Sequence, residues 1–183
     1  MTELNKIVIA LKNKKIIAYP TESVFGLGCD PDYEIAVKKI LTLKNRSVEK
    51  GLILVASHYK QIKKYIDETK ITIDIRKKLF SSWPGPVSWA LPVNNSTPAW
   101  LTGKYTKLVV RISNFLPIKL ICQKFGKAIV STSANISQQL PARTVNEVYK
   151  LFGSRVVIMN YTVGKLLSPT KIYDAISNTV IRG

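Results

Sequence analysis

Leu4, Ile7, Val8 and Leu11 recur at the i, i+3, i+4, i+7 spacing of one helical face, and Thr2 stands where a helix cap belongs. The spacing predicts a first amphipathic helix that ends before the β-prone stretch Ile16-Ile17-Ala18-Tyr19. Pro20 closes that strand, and segment 21–28, with Gly26 and Gly28, reads as a loop. Val37, Ile40 and Leu41 give a second helix its apolar face, with Asp32 as the expected cap, and it runs into Lys44-Asn45-Arg46. The apolar run 52–56 has strand length. Tyr59, Ile62 and Ile66 predict a third helix capped by Ser57. Thr72 opens a fourth, carrying Ile75 and Leu79 as far as Trp83-Pro84-Gly85-Pro86. Strands are expected at 87–93, 107–112 and 128–131, with a helix from near Pro117 between the last two. Val145, Val148, Tyr149 and Phe152 line a final helix stopped by Gly153, and strands near 155–160, 171–176 and 179–182 follow.

Strands and helices mixed in this way, without internal repeats or a low-complexity linker, predict an α/β (α+β) fold in one domain over residues 1–183. The irregular order, with several strands together late in the chain, argues against a plain doubly wound sheet. A mixed, twisted sheet flanked by helices is the expectation. The apolar fraction of 46% is that of a globular chain. No segment approaches the roughly 20 continuous apolar residues of a membrane helix, and the lysine-rich start lacks the apolar block of a secretory signal. A cytoplasmic location is therefore expected, with Cys29 and Cys122 as reduced, structural thiols. With one histidine and no Cys/His cluster, no metal-ligating residues are assigned.

Charge changes the picture. The formal net charge of +17 favours anionic partners such as nucleotide, pyrophosphate or nucleic acid. Lysines spread over most of the length also fit a biased base composition, so charge alone does not decide between them. Neither GxxxxGK[ST] nor GxGxxG is present, and phosphates need another cradle. Four polar segments offer one: 20–23, Lys44-Asn45-Arg46 with Lys50, 131–135, and Ser168-Pro169-Thr170. The first and third follow buried-looking strands, whose ends are where ligands gather in open α/β sheets. Lys44 and Arg46, two apart, point the same way if the backbone there is extended. Taken singly, Ser/Thr-rich turns more often satisfy their own backbone, and a Lys-x-Arg is more often a solvated face. Glu22 is the nearest carboxylate to these segments, with a structural role favoured over a catalytic one. His58 reads as a surface or capping residue, and Trp83, Trp89 and Trp100 as core or loop anchors. The residues support an anion site without naming a reaction.

Their combination is more specific. Tyr19-Pro-Thr-Glu-Ser-Val-Phe-Gly-Leu-Gly28, Leu43-Lys-Asn-Arg46 with Lys50-Gly-Leu-Ile-Leu-Val55, Trp83-Pro-Gly-Pro86, Val109-Val-Arg-Ile112 and Ser131-Thr-Ser-Ala-Asn135 occur in one order. This set resembles the YrdC-like family in its short threonylcarbamoyl-AMP synthase form, over almost the whole chain. The resemblance implies a twisted sheet with a basic concave cavity. It also implies condensation of L-threonine, bicarbonate and ATP, with Mg²⁺, into threonylcarbamoyl-AMP and pyrophosphate. Other proteins then transfer the group to adenosine 37 of tRNA, which adds those transferase proteins and tRNA itself as partners; no membrane partner is implied.

Carried over by matching position, the resemblance puts Lys44 and Arg46 at the catalytic phosphates, and Arg46, Lys50, Ser133, Asn135 and Arg182 on the ATP side. Thr21, Ser23, Arg111, Ser131 and Ser168 fall on the threonine side. Several positions depart from the family pattern. Ser23 stands for a frequent threonine, Phe25 for a tyrosine, Val55 for a histidine, and Ser137-Gln138 for Ser-Gly; Ser168 sits in a loosely matching run. The competing reading is a non-catalytic module that binds double-stranded RNA or tRNA, since a basic cavity and high charge serve that role too.

Overall fold

The computed structural model describes residues 2–182. Helix α1 (Glu3–Lys12) forms as its pattern predicts: the Thr2 hydroxyl accepts from the Asn5 amide, and Ile7, Val8, Ala10 and Leu11 are buried. Strand β1 (Ile17–Pro20) pairs antiparallel with β2 (Phe25–Gly28). That second strand replaces the expected loop, because pairing outweighs the poor strand propensity of its glycines. Helix α2 (Glu34–Lys44) starts later than predicted and lacks a side-chain cap. The Asp32 carboxylate is used elsewhere, by Lys64, Lys127 and the Tyr65 hydroxyl.

Strand β3 (Ile53–Ala56) follows. The expected third helix is two separate 3-10 turns, Tyr59–Gln61 and Lys63–Tyr65, since spacings of three and four fit either kind of turn. The cap is His58, whose Nδ1 accepts from the Lys60 amide; Ser57 instead donates its amide to Gln61. Helix α3 (Ile73–Ser82) is capped by Thr72. Strand β4 (Val87–Pro92), the short unpredicted helix α4 (Ala99–Thr102), β5 (Lys107–Ile112), α5 (Leu116–Phe125), β6 (Ile129–Ser133) and α6 (Val145–Phe152) come next. Strands β7 (Val157–Ile158), β8 (Lys171–Asp174) and β9 (Val180–Arg182) complete the order. Trp83 and Trp89 are buried with their indoles bonded to Val87 and Ser82, as anchors should be. Both cysteines are buried free thiols. No helix among the described residues is long and apolar enough to cross a membrane.

The described strands form one mixed sheet in the order β7-β1-β2-β6-β3-β5-β4-β8-β9. Successive residues of a strand face opposite sides, and the two cores obey that rule. Ile17, Tyr19, Val55 and Ile129 join one core with Ile7, Leu11, Ile118 and Ile121 of α1 and α5. Ala18, Leu54, Ala56 and Val130 join the other with Val37 and Ile40 of α2 and Phe152 of α6. Paired residues share a face, so Ser131 opposite Ile53, and Arg111 opposite Val55, lie on the α1/α5 side. Helices α1 and α5 pack on β1, β3 and β7. Polar side chains of the same face continue past them toward β9, where the candidate site lies.

Candidate active site

Two adjoining cavities occupy that face. The first, about 320 Å³, is lined by Thr21, Ser23, Arg46, Arg111, Ser131, Ser133 and Arg182 among others. The second, about 440 Å³, is lined by Lys50, Leu101, Tyr105, Lys107 and Ile181, and shares Arg46, Leu52, Ile53 and Arg182 with the first. Segments separated by more than 150 residues in sequence therefore meet at one place, with Arg46 and Ser133 on the wall of the same cavity.

Each wall has a local cause. Turn 21–24 of the β1–β2 hairpin is held by Thr21, whose amide and hydroxyl both donate to the Val24 carbonyl (3.0 and 2.7 Å). Helix α2 ends at Asn45 in the left-handed region (φ 49°, ψ 54°), so the chain around Lys44 and Arg46 is not extended and the two cations diverge. Arg46 turns to the cavities and donates to the Gly51 carbonyl at 2.9 Å. Lys44 is buried: its ammonium donates to the carbonyls of Ser133 and Asn135 and to Asn135 Oδ1 (3.0 Å). Lys44 and Asn135 line neither of these two cavities; together they shape the loop that presents Ser133. The 47–51 turn carrying Lys50 interlocks with the end of α4. A Cβ at Gly51 would lie 2.8 Å from the Thr102 carbonyl oxygen, and one at Gly103 (φ 63°) 2.4 Å from that of Glu49.

The electrostatics are those of a site built for an anion. Burial, and then the neighbouring guanidiniums of Arg111 and Arg46, push Arg182 below the usual arginine range. Burial does the same to Arg46. Burial, then Arg46, pushes Lys44 down to about 8. Arg111 is buried with its Nη2 3.2 Å from Glu22 Oε2, and the other Glu22 oxygen accepts from Ser113 (2.7 Å). This fits the structural role expected of Glu22. The Nε groups of Arg46 and Arg111 are buried without hydrogen-bond partners among the described residues. Such donors cost free energy until something accepts from them.

Ser168 is exposed and does not line either cavity; Pro169 and Thr170 of the same segment do line the first. Thr170 lies 3.4 Å from the hydroxyl of Ser88, and its carbonyl accepts from Arg182. Ser88 was missed by sequence reasoning. Its signal was a lone buried-looking hydroxyl in the apolar run 87–92, which is weak without the sheet to orient it. Among the described residues no group of three or more His, Cys, Asp or Glu is placed to hold a metal.

A family model described as Sua5/YciO/YrdC, telomere recombination, matches residues 9–182. The chain belongs to the Sua5/YciO/YrdC family. Among its relatives, the threonylcarbamoyl-AMP synthase of Baumannia cicadellinicola is 49% identical over 182 residues, covering 100% of this chain and 92% of that protein. The threonylcarbamoyl-AMP synthase of Buchnera aphidicola is 51% identical over 172 residues, covering 94% and 98%. Among solved structures, P. abyssi Sua5 complexed with L-threonine superposes with a TM-score of 0.85 at 24% identity, over 95% of this chain and 52% of that one. The fold is thus shared with Sua5, of whose chain this one spans about half. The α/β sheet flanked by helices expected from sequence is the family's fold.

Proposed function

We propose that this chain is a threonylcarbamoyl-AMP synthase, joining L-threonine, bicarbonate and ATP with release of pyrophosphate. The observation that carries this reading is the convergence of Arg46, Arg111 and Arg182 on one hydroxyl-lined cavity that opens into a second. One cavity of about 320 Å³ is too small for both a nucleoside triphosphate and an amino acid; the joined pair suits them. Relatives at about half identity and near-full coverage carry the synthase name, which favours catalysis over the RNA-binding module.

Threonine sits in the first cavity, its carboxylate toward Arg111 and its polar atoms toward Thr21, Ser23 and Ser131, with Thr170 on the wall in place of Ser168. Its amine, after loss of the ammonium proton, bonds to the carbon of bicarbonate, whose hydroxyl leaves as water, and a carbamate results. A carbamate oxygen attacks the α-phosphorus as the bond to the bridging oxygen breaks, and pyrophosphate leaves with that electron pair. Negative charge grows on the phosphate oxygens, and Arg46, Lys50 and Arg182, which line the cavities, supply the cations that stabilise it. Lys44 and Asn135 hold Ser133 against the nucleotide. Mg²⁺ enters as part of the triphosphate substrate. The product passes to a transferase that modifies adenosine 37 of tRNA, and the basic surface offers tRNA a contact.

The test is pyrophosphate release with ATP, bicarbonate and L-threonine, together with detection of threonylcarbamoyl-AMP. Release that depends on threonine is expected; none, with folded protein, overturns the reading. Arg46→Ala should keep the far-ultraviolet circular dichroism and lower turnover about a hundredfold, the usual loss for one preorganised charge contact.

A further inference from the structure

Tyr19 lies completely buried behind the first cavity and takes no part in the scheme above. Its hydroxyl is 2.7 Å from that of Ser131, which lines the cavity. The ring reaches there because β2 offers glycine where it passes. A Cβ at Gly26, the register partner of Tyr19, would lie 3.2 Å from Tyr19 Cζ and 3.3 Å from its hydroxyl; one at Gly28 would lie 2.8 Å from Cε1. The two glycines of the signature loop thus open a slot for this ring.

Which hydroxyl donates follows from the inventory of each. A serine hydroxyl has one proton and two acceptor positions; a phenol also has one proton. Tyr19 has no other hydrogen-bond partner among the described residues. If it accepted from Ser131, its own proton would be left unpaired in the core, at the cost of an unmade buried bond. Burial also pushes the phenol above its ordinary range, so it keeps that proton. Tyr19 therefore donates, and the Ser131 proton, which has no other acceptor among the described residues, is free to face the cavity.

We propose that Tyr19 is a positioning residue that fixes Ser131 as a hydrogen-bond donor, so that the Ser131 side of the cavity receives an acceptor oxygen of the substrate, its carboxylate, and not its ammonium group. This rests on the function proposed above. Without the phenol, nothing anchors the Ser131 oxygen, and the hydroxyl can leave the rotamer that aims its proton at a carboxylate.

The test compares L-threonine with L-threoninol, which lacks the carboxylate, by calorimetric binding to wild type, Tyr19→Phe, Ser131→Ala and the double variant. Tyr19→Phe should weaken threonine about tenfold, the scale of one charge-assisted bond, and threoninol less than twofold. It should add nothing in the Ser131→Ala background, whereas a merely structural role would weaken both ligands and add to the serine loss. Gly26→Ala, which keeps the phenol but crowds it, should reproduce the ligand-selective loss. Equal losses for the two ligands, additivity with Ser131→Ala, or a Tyr19→Phe protein that binds threonine normally would overturn the inference and leave the proposed function standing. Wild-type protein that binds no threonine would overturn both.

Discussion

Lys44 shows how far surroundings change a single side chain. It gives up its proton near pH 8 in the folded protein, whereas an unfolded lysine holds it to about 10.4. Between these values the unfolded chain binds more protons, so this group makes stability rise with pH, not fall. Activity should move the other way. A neutral amine has two N–H bonds for three acceptors in the 133–135 loop, and the loop that carries Ser133 loosens. Pyrophosphate release at limiting ATP should therefore decline through an apparent pKa near 8, and the step should vanish from the residual activity of Lys44→Met. Ordinary turnover across pH 7–10 would refute the assignment. The sequence marked Lys44 as a candidate, but only the fold shows that its partners are carbonyls rather than solvent. Ser168 illustrates the opposite: the polar segment was legible, yet the residues that reach the cavity are its neighbours Pro169 and Thr170. Alternation and turn geometry inside a loop leave no pattern that sequence spacing can resolve.

Among the elements, the end of α2 decides where two cations go. Asn45 occupies the left-handed region that a β-branched residue enters only at a cost of about 1–2 kcal/mol. Asn45→Gly should unfold close to the wild-type temperature, while Asn45→Val should melt several degrees lower and bind ATP less well; equal melting of all three would count against this. Elements with a strong period were readable: α1, α3 and α6 stand where apolar spacing put them, α5 begins beside Pro117 as expected, and Thr144 with Glu147 closes a capping box on α6. Strand β2 was not, since half its residues are glycines with no side chains to alternate. The third predicted helix failed for a different reason. Its three apolar positions satisfy two short 3-10 turns as well as one helix.

For the molecule as a whole, guanidiniums that repel one another, two of them with Nε donors that have no partner among the described residues, give an anion bound here a favourable effect on folding. Inorganic pyrophosphate at a hundred times its dissociation constant should stabilise the fold by about 2.7 kcal/mol. The rise in melting temperature should be absent in Arg46→Ala and should shrink with added salt as screening tightens. The strand order was beyond sequence reading because its pairings are non-local, and no pattern within β3 says that β5 and β6 flank it. The family resemblance supplied the fold that periodicity could not. The interlock of Gly51 with α4 carries one more implication. A methyl group at position 103, which borders neither cavity, has nowhere to go except against the turn bearing Lys50. A screen for inactive variants should return Gly103→Ala beside the arginine substitutions, although nothing at that position ever meets a substrate.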